Sequence, residues 1–155
     1  MTEPLAFILA VLGLLATPGP TNTLLAASGA AVGLRRSLHL IPAEVSGYLC
    51  SILALTLVLG PVAQTWPLFG SALRVSCALW LAYLAWRHWT AAAAHGVEAQ
   101  AVPFAKVFVT TLLNPKGLIF AFAIIPDLAE GNVPAALPYL AGLTALIVAV
   151  GTSWI

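Results

Sequence analysis

Charge is what this sequence has least of. Of its 155 residues, six are Lys or Arg and five are Asp or Glu, for a formal net charge of +1 at pH 7. So few cations provide no basic surface for nucleic-acid phosphates, and the chain is read as binding no nucleic acid. Nor can they dress a soluble domain: 61% of the residues are hydrophobic against 7% charged, and the mean hydropathy is +1.02. That balance belongs to a membrane protein. Cysteine is nearly absent too. Cys50 and Cys77 both fall inside apolar runs, without the spacing of a disulfide scaffold or a zinc site, and read as small buried hydrophobes. His39, His88 and His95 share no ligand spacing, and no nucleophile, base and orienting group fall together in a motif. Metal, cofactor and enzymatic activity are therefore not expected. Lys and Arg are also missing ahead of the first apolar stretch, where Glu3 is the sole charge, so that stretch is a permanent span and not a secretory signal.

What the chain does have is apolar length. A helix needs about 20 apolar residues to cross a hydrocarbon core of about 30 Å. Five runs meet that need: Leu5 to Leu34, Leu38 to Val62, Leu68 to Trp86, Phe104 to Ile125 and Ala135 to Ile155. Each must be helical, because lipid offers no partner to an exposed backbone amide. The fold class is therefore an all-α membrane protein with five transmembrane helices, forming one transmembrane domain over residues 1–155 and including no soluble domain. Arg35 and Arg36 follow the first run, while Arg87, His88, His95 and Lys106 border the break after the third. The excess of cations on one side places the loops at about 35–38 and 87–103 in the cytosol and the amino terminus outside. Trp66, Phe69, Trp86 and Trp89 fall near the two boundaries, where interfacial aromatics are common. Arg74, about six residues into the third run, is shallow enough to snorkel outward, and Gly29 with Gly33 forms a small-residue pair suited to close packing.

Two of the five runs are interrupted by proline. Leu5 to Leu34 is thirty residues, about 45 Å as a straight helix, half as long again as the core it has to cross. Near its middle stand Thr17, Pro18, Gly19, Pro20, Thr21 and Asn22, in which the prolines delete amide donors and the glycine weakens the helix. The fourth run is broken at Asn114, Pro115, Lys116 and Gly117, about 15 Å beyond Phe104. There Asn114 is placed to cap, Pro115 suits a first turn, and a new half-helix would begin with its positive dipole end facing inward. Either break alone could be a simple kink. Both breaks, however, come first in their half of the chain, and an odd number of spans per half forces the halves into opposite orientation. This is the pattern of a transporter with substrate bound between two opened helices: repeat one spans about 5–86, a cytosolic linker about 87–103, and an incomplete repeat two about 104–155.

Lys116 weighs toward that pattern, because a cation at the bilayer centre costs several kcal/mol and needs something negative near it. Glu44 is the acidic residue inside the runs, but it lies about four residues into the second, near the cytosolic boundary, so pairing between the two is open. The favoured partner is a substrate carboxylate or other anion, held jointly by Lys116, Asn114 and the opened ends of the first span, with Thr17, Pro18, Gly19, Pro20, Asn22 and Pro115 completing the site. Glu44 has two readings. Pro42 followed by a carboxylate is an ordinary helix start; alternatively, a buried Glu44 binds a substrate ammonium or a coupling proton.

At the level of these motifs the chain resembles the lysine exporter family of bacterial amino-acid exporters, in its homoserine and threonine efflux branch. The resemblance rests on Thr17 to Asn22, the exit Gly33, Leu34, Arg35, Arg36, the stretch Glu44 to Gly47 with Tyr48, Leu81 to Trp86, and Leu113, Asn114, Pro115, Lys116. It implies a bacterial inner-membrane protein of six helices, two inverted three-helix repeats, that exports amino acids or related small metabolites without a prosthetic group, using the proton gradient. The chain ends in an apolar run with the sixth span missing, so it reads as a truncated frame. Its partners are then an amino acid or related metabolite and the lipid bilayer, with room for a homo-oligomer. The alternative, from a different class, is a truncated, non-transporting membrane subunit that associates with another helical membrane protein.

Overall fold

The computed structural model describes residues 3–90 and 101–155, without the side chains of residues 67, 74, 81, 84, 85, 87–90, 126 and 129. His95, most of the linker and the Arg74 and Trp89 side chains therefore lie outside the described residues. All secondary structure described is helical: α1 (Pro4–Ala16), α2 (Pro20–Val32), α3 (Leu34–Ser37), α4 (Leu40–Thr65), α5 (Pro67–Thr90), α6 (Phe104–Leu112), α7 (Lys116–Ile119), a π-helical turn (Phe120–Ile124), α8 (Pro126–Ala129) and α9 (Val133–Trp154). The chain is an all-α, multi-pass membrane protein.

By length and composition, Leu34–Thr65 and Val133–Trp154 can each cross a bilayer, and two bent pairs, α1 with α2 and α6 with α7 and its π turn, can each form one broken span. The bends are 63° and 51°. They fall at the two proline motifs for the reason the sequence suggests. Pro18 and Pro20 supply no amide donors, and Gly19 takes an extended φ of −150° and ψ of 176° as the N-cap of α2. The third expected span is helical, but its helix continues beyond Trp86 to Thr90 and its apolar stretch is shorter, Leu68–Trp80. The start of the proposed linker is thus helix.

At the centre α4 packs against α6, α9, α5 and α8, while α1 lies on α9 and α2 on α6 and α9. Glycine sets the closest approach. A β-carbon at Gly47 would stand 2.7 Å from Thr111 Cβ and 2.9 Å from Phe108 O, so α4 and α6 meet backbone to backbone there. The main apolar core joins Phe7, Val11, Leu14 and Leu15 of α1 to Tyr48 and Ile52 of α4, Phe120 of the π turn, and Leu143 and Ile147 of α9. Facing outward are Leu53, Leu57, Val58, Leu79, Leu137 and Val148, a surface of the kind that lipid covers and water penalises.

Two sequence expectations need correction. Cys77 is buried but Cys50 is exposed, because its position on α4 faces away from the bundle. Gly29 does pack closely, against the backbone of Ile155, whereas Gly33 packs against nothing within 4 Å; it turns the chain from α2 into α3 at φ 80°. Glu44, whose two readings the sequence leaves open, is only 2% exposed near the start of α4.

Candidate functional site

The two breaks meet. Where α1 ends, a continuous helix would bond its last carbonyls to amides four residues on, and the extended Pro18–Gly19 turn removes those amides. Thr17 O is left free, and Lys116 Nζ, from the other half of the chain, donates to it at 2.7 Å. Asn22 reaches back across the same break, its Nδ2 donating to Leu15 O at 2.8 Å and more distantly to Thr17 O at 3.5 Å. The carbonyl end of a helix carries partial negative charge, so this end of α1 supplies part of what a buried ammonium requires.

The second break is organised by Asn114. Its Oδ1 accepts from the Lys116 amide at 3.0 Å, capping the half-helix as its position suggests. Its Nδ2 donates to Thr21 Oγ1 at 3.2 Å and Tyr48 Oη at 3.3 Å, and Thr21 Oγ1 lies 3.1 Å from Thr111 Oγ1. The side chains of Thr21, Tyr48, Thr111, Asn114 and Lys116 are all buried. They tie α2, α4, α6 and α7 into one polar centre within an apolar bundle. Gly117 keeps it compact, since a β-carbon there would come within 2.5 Å of Ser51 Oγ on α4.

These positions sort the sequence-derived residues. Lys116, Asn114, Asn22 and Glu44 are buried, Thr17 and Gly19 half-buried, and Pro18, Pro20 and Pro115 exposed on the outer side of the breaks. The prolines shape the openings without lining the buried centre. The inward-facing amino end expected at Lys116 is closed by the Asn114 side chain. The open amino end is instead that of α2, which no side chain caps and which starts at Gly19, where a β-carbon would stand 3.4 Å from Lys116 Nζ. Tyr48, Thr21 and Thr111 are the participants that the motif reading did not single out as site residues. Thr21 lies inside the first proline motif and Tyr48 one turn after Glu44 on a shared face, both detectable signals, whereas Thr111 on α6 carries none.

Glu44 is placed beside this centre but not bonded to it. Its Oε2 makes no hydrogen bond, and it packs so closely on α9 that a β-carbon at Gly151 would overlap it. The described hydrogen bond of the Lys116 ammonium goes to Thr17 O and not to this carboxylate. Among the described residues no group of His, Cys, Asp and Glu is arranged to hold a metal ion.

Neither a curated protein nor a solved structure matches the chain. The sequence profile of the LysE type translocators matches residues 12–155, which takes in both breaks, Glu44, Tyr48 and Lys116. With that match covering most of its length, the chain belongs to the LysE type translocator family.

Proposed function

We propose that the chain is a secondary exporter of amino acids or related small metabolites, in which Lys116 receives the carboxylate of the substrate. One observation carries this reading: a buried ammonium with three donors is held by a single described hydrogen bond, to an uncharged backbone carbonyl. A carboxylate would satisfy that cation better than Thr17 O does, because it brings a full opposite charge where the carbonyl offers only a dipole. The uncapped amino end of α2 beside Gly19 offers further donors for the same anion. Asn22 would hold the vacated carbonyl end of α1 while the lysine is away.

Glu44 serves as the site of the coupling proton or of the substrate ammonium. Support comes from its carboxyl oxygen, which is buried and unpartnered, and a charge held that way is costly unless a proton or a cation arrives. The titratable groups nearest to it in the fold are Lys116 on α7 and Tyr48, one turn on along its own helix. Alternating access then rocks the 5–86 repeat against the 104–155 repeat about the closed centre, in a bacterial inner membrane with the amino terminus outside and the loops at 35–38 and 87–103 cytosolic. No observation favours the non-transporting subunit.

The test is efflux in inverted membrane vesicles across a panel of labelled amino acids. Proton-driven accumulation is expected for at least one of them, and Glu44→Gln is expected to abolish it while the protein remains in the membrane. Equal accumulation with and without the protein across the panel would refute the export reading, and gradient-driven transport by Glu44→Gln would refute the role of Glu44.

A further inference from the structure

Between Glu44 and Lys116, the two charged groups of the proposed cycle, no hydrogen bond is described, yet one residue shares a helix face with the first and is bonded to the segment that carries the second. Tyr48 follows Glu44 by one helical turn on the buried face of α4. Its hydroxyl accepts from Asn114 Nδ2 at 3.3 Å, just before Lys116 in the chain, and its ring meets Phe120 edge to face at 5.4 Å, just after α7. Tyr48 therefore grips the short helix bearing Lys116 from both ends. Asn114 completes the path, because the amide that donates to Tyr48 and Thr21 accepts from the Lys116 backbone through its other atom.

We infer that Tyr48 and Asn114 are positioning residues that couple the state of Glu44 to the placement of Lys116. This rests on the export reading above and deepens it. Asn114 also changes role: its two N–H donors are both engaged within the protein, so the amide serves the coupling path and leaves the substrate anion to Lys116 and the α2 amino end. When Glu44 gains a proton or cation, the field at the Tyr48 hydroxyl changes. The bond from Asn114 shifts with it, and α7, only four residues long, moves Lys116 relative to Thr17 O. Tyr48 is suited to this because its ring is anchored by Phe120 while its one polar atom is shared with the opposite half of the chain.

The test separates coupling from integrity. The purified full chain is reconstituted in liposomes, and uptake of a labelled mixture of the protein amino acids is measured in two modes: driven by an imposed pH gradient, and by counterflow against the same unlabelled mixture inside. Tyr48→Phe keeps the ring and its contact with Phe120 and deletes the hydroxyl. One neutral hydrogen bond corresponds to about a fivefold effect on an equilibrium. Gradient-driven accumulation should therefore fall about fivefold while counterflow stays within about twofold of the parent. Parallel loss of both modes in Tyr48→Phe would mean a merely structural role, and full retention of both would mean no role; either overturns the inference. Absence of uptake by the parent, or full gradient-driven uptake by Glu44→Gln, would instead remove the reading on which it rests.

Discussion

Replacing Lys116 by methionine keeps an unbranched stem in the bundle and removes the ammonium. In the native protein that ammonium is buried and donates to Thr17 O at 2.7 Å. A hydrogen bond to a charged group contributes about 1.5–3 kcal/mol. Holding a cation at such depth costs several kcal/mol, and Asn22 Nδ2 remains to serve the carbonyl end of α1. The cost exceeds the contribution, so Lys116→Met should be as stable as the parent or more stable by about 1–2 kcal/mol. Cys77 provides the assay. It is 1% exposed, so in a Cys50→Ser background a thiol-reactive fluorogenic dye reports unfolding in detergent on heating. Transport should respond in the opposite sense. Loss of the charged partner for a carboxylate removes about 2–3 kcal/mol of binding, which raises the half-saturating substrate concentration about 30- to 150-fold. Were Lys116 instead half of a structural ion pair with Glu44, its removal would strand the carboxylate and destabilise the protein by about 3–5 kcal/mol. A collapse of that size, or efflux at parental affinity, would refute the reasoning.

Two further perturbations probe the frame around the site. Gly47→Ala places a methyl 2.7 Å from Thr111 Cβ and 2.9 Å from a carbonyl of α6; it should cost about 1–3 kcal/mol of stability in the same dye assay, and an unchanged melting profile would show that α4 and α6 are not in close contact. Gly33→Ala meets no neighbour but forces alanine to φ 80° and ψ 164°, a region essentially confined to glycine, at a cost of about 1–3 kcal/mol; unchanged stability would mean that the α2–α3 turn does not adopt this conformation.

Much of the fold was legible in the sequence because lipid removes alternatives. An apolar run of twenty residues in hydrocarbon has one way to satisfy its amides, so α4 and α9 begin and end within a few residues of the runs that announced them. The breaks were legible for a local reason, since Pro18, Pro20 and Pro115 lack the donor that a helix requires, but proline by itself does not decide a break: Pro61 and Pro138 stay inside α4 and α9. The burial of Glu44 stayed open. Four residues from a helix start places a side chain near an interface only if nothing covers it, and here α9 does, with Gly151 admitting the carboxylate against its backbone. α5 runs on past Trp86 to Thr90 because helix length is set by backbone satisfaction, which does not end with the last apolar residue.

From residue chemistry alone follow the membrane setting, the helical class, the positions of both interruptions and the anomaly of a lysine buried in the second. These depend on solvation and on backbone donors, properties that each segment carries by itself. Tertiary structure decided what surrounds that lysine: the freed carbonyl of Thr17, the amide of Asn114 facing inward to Thr21 and Tyr48, and a carboxylate close by without contact. Such partners come from α1, α2, α4 and α7, and the rotation of each helix about its axis is set only when glycines such as Gly47, Gly117 and Gly151 let the bundle close.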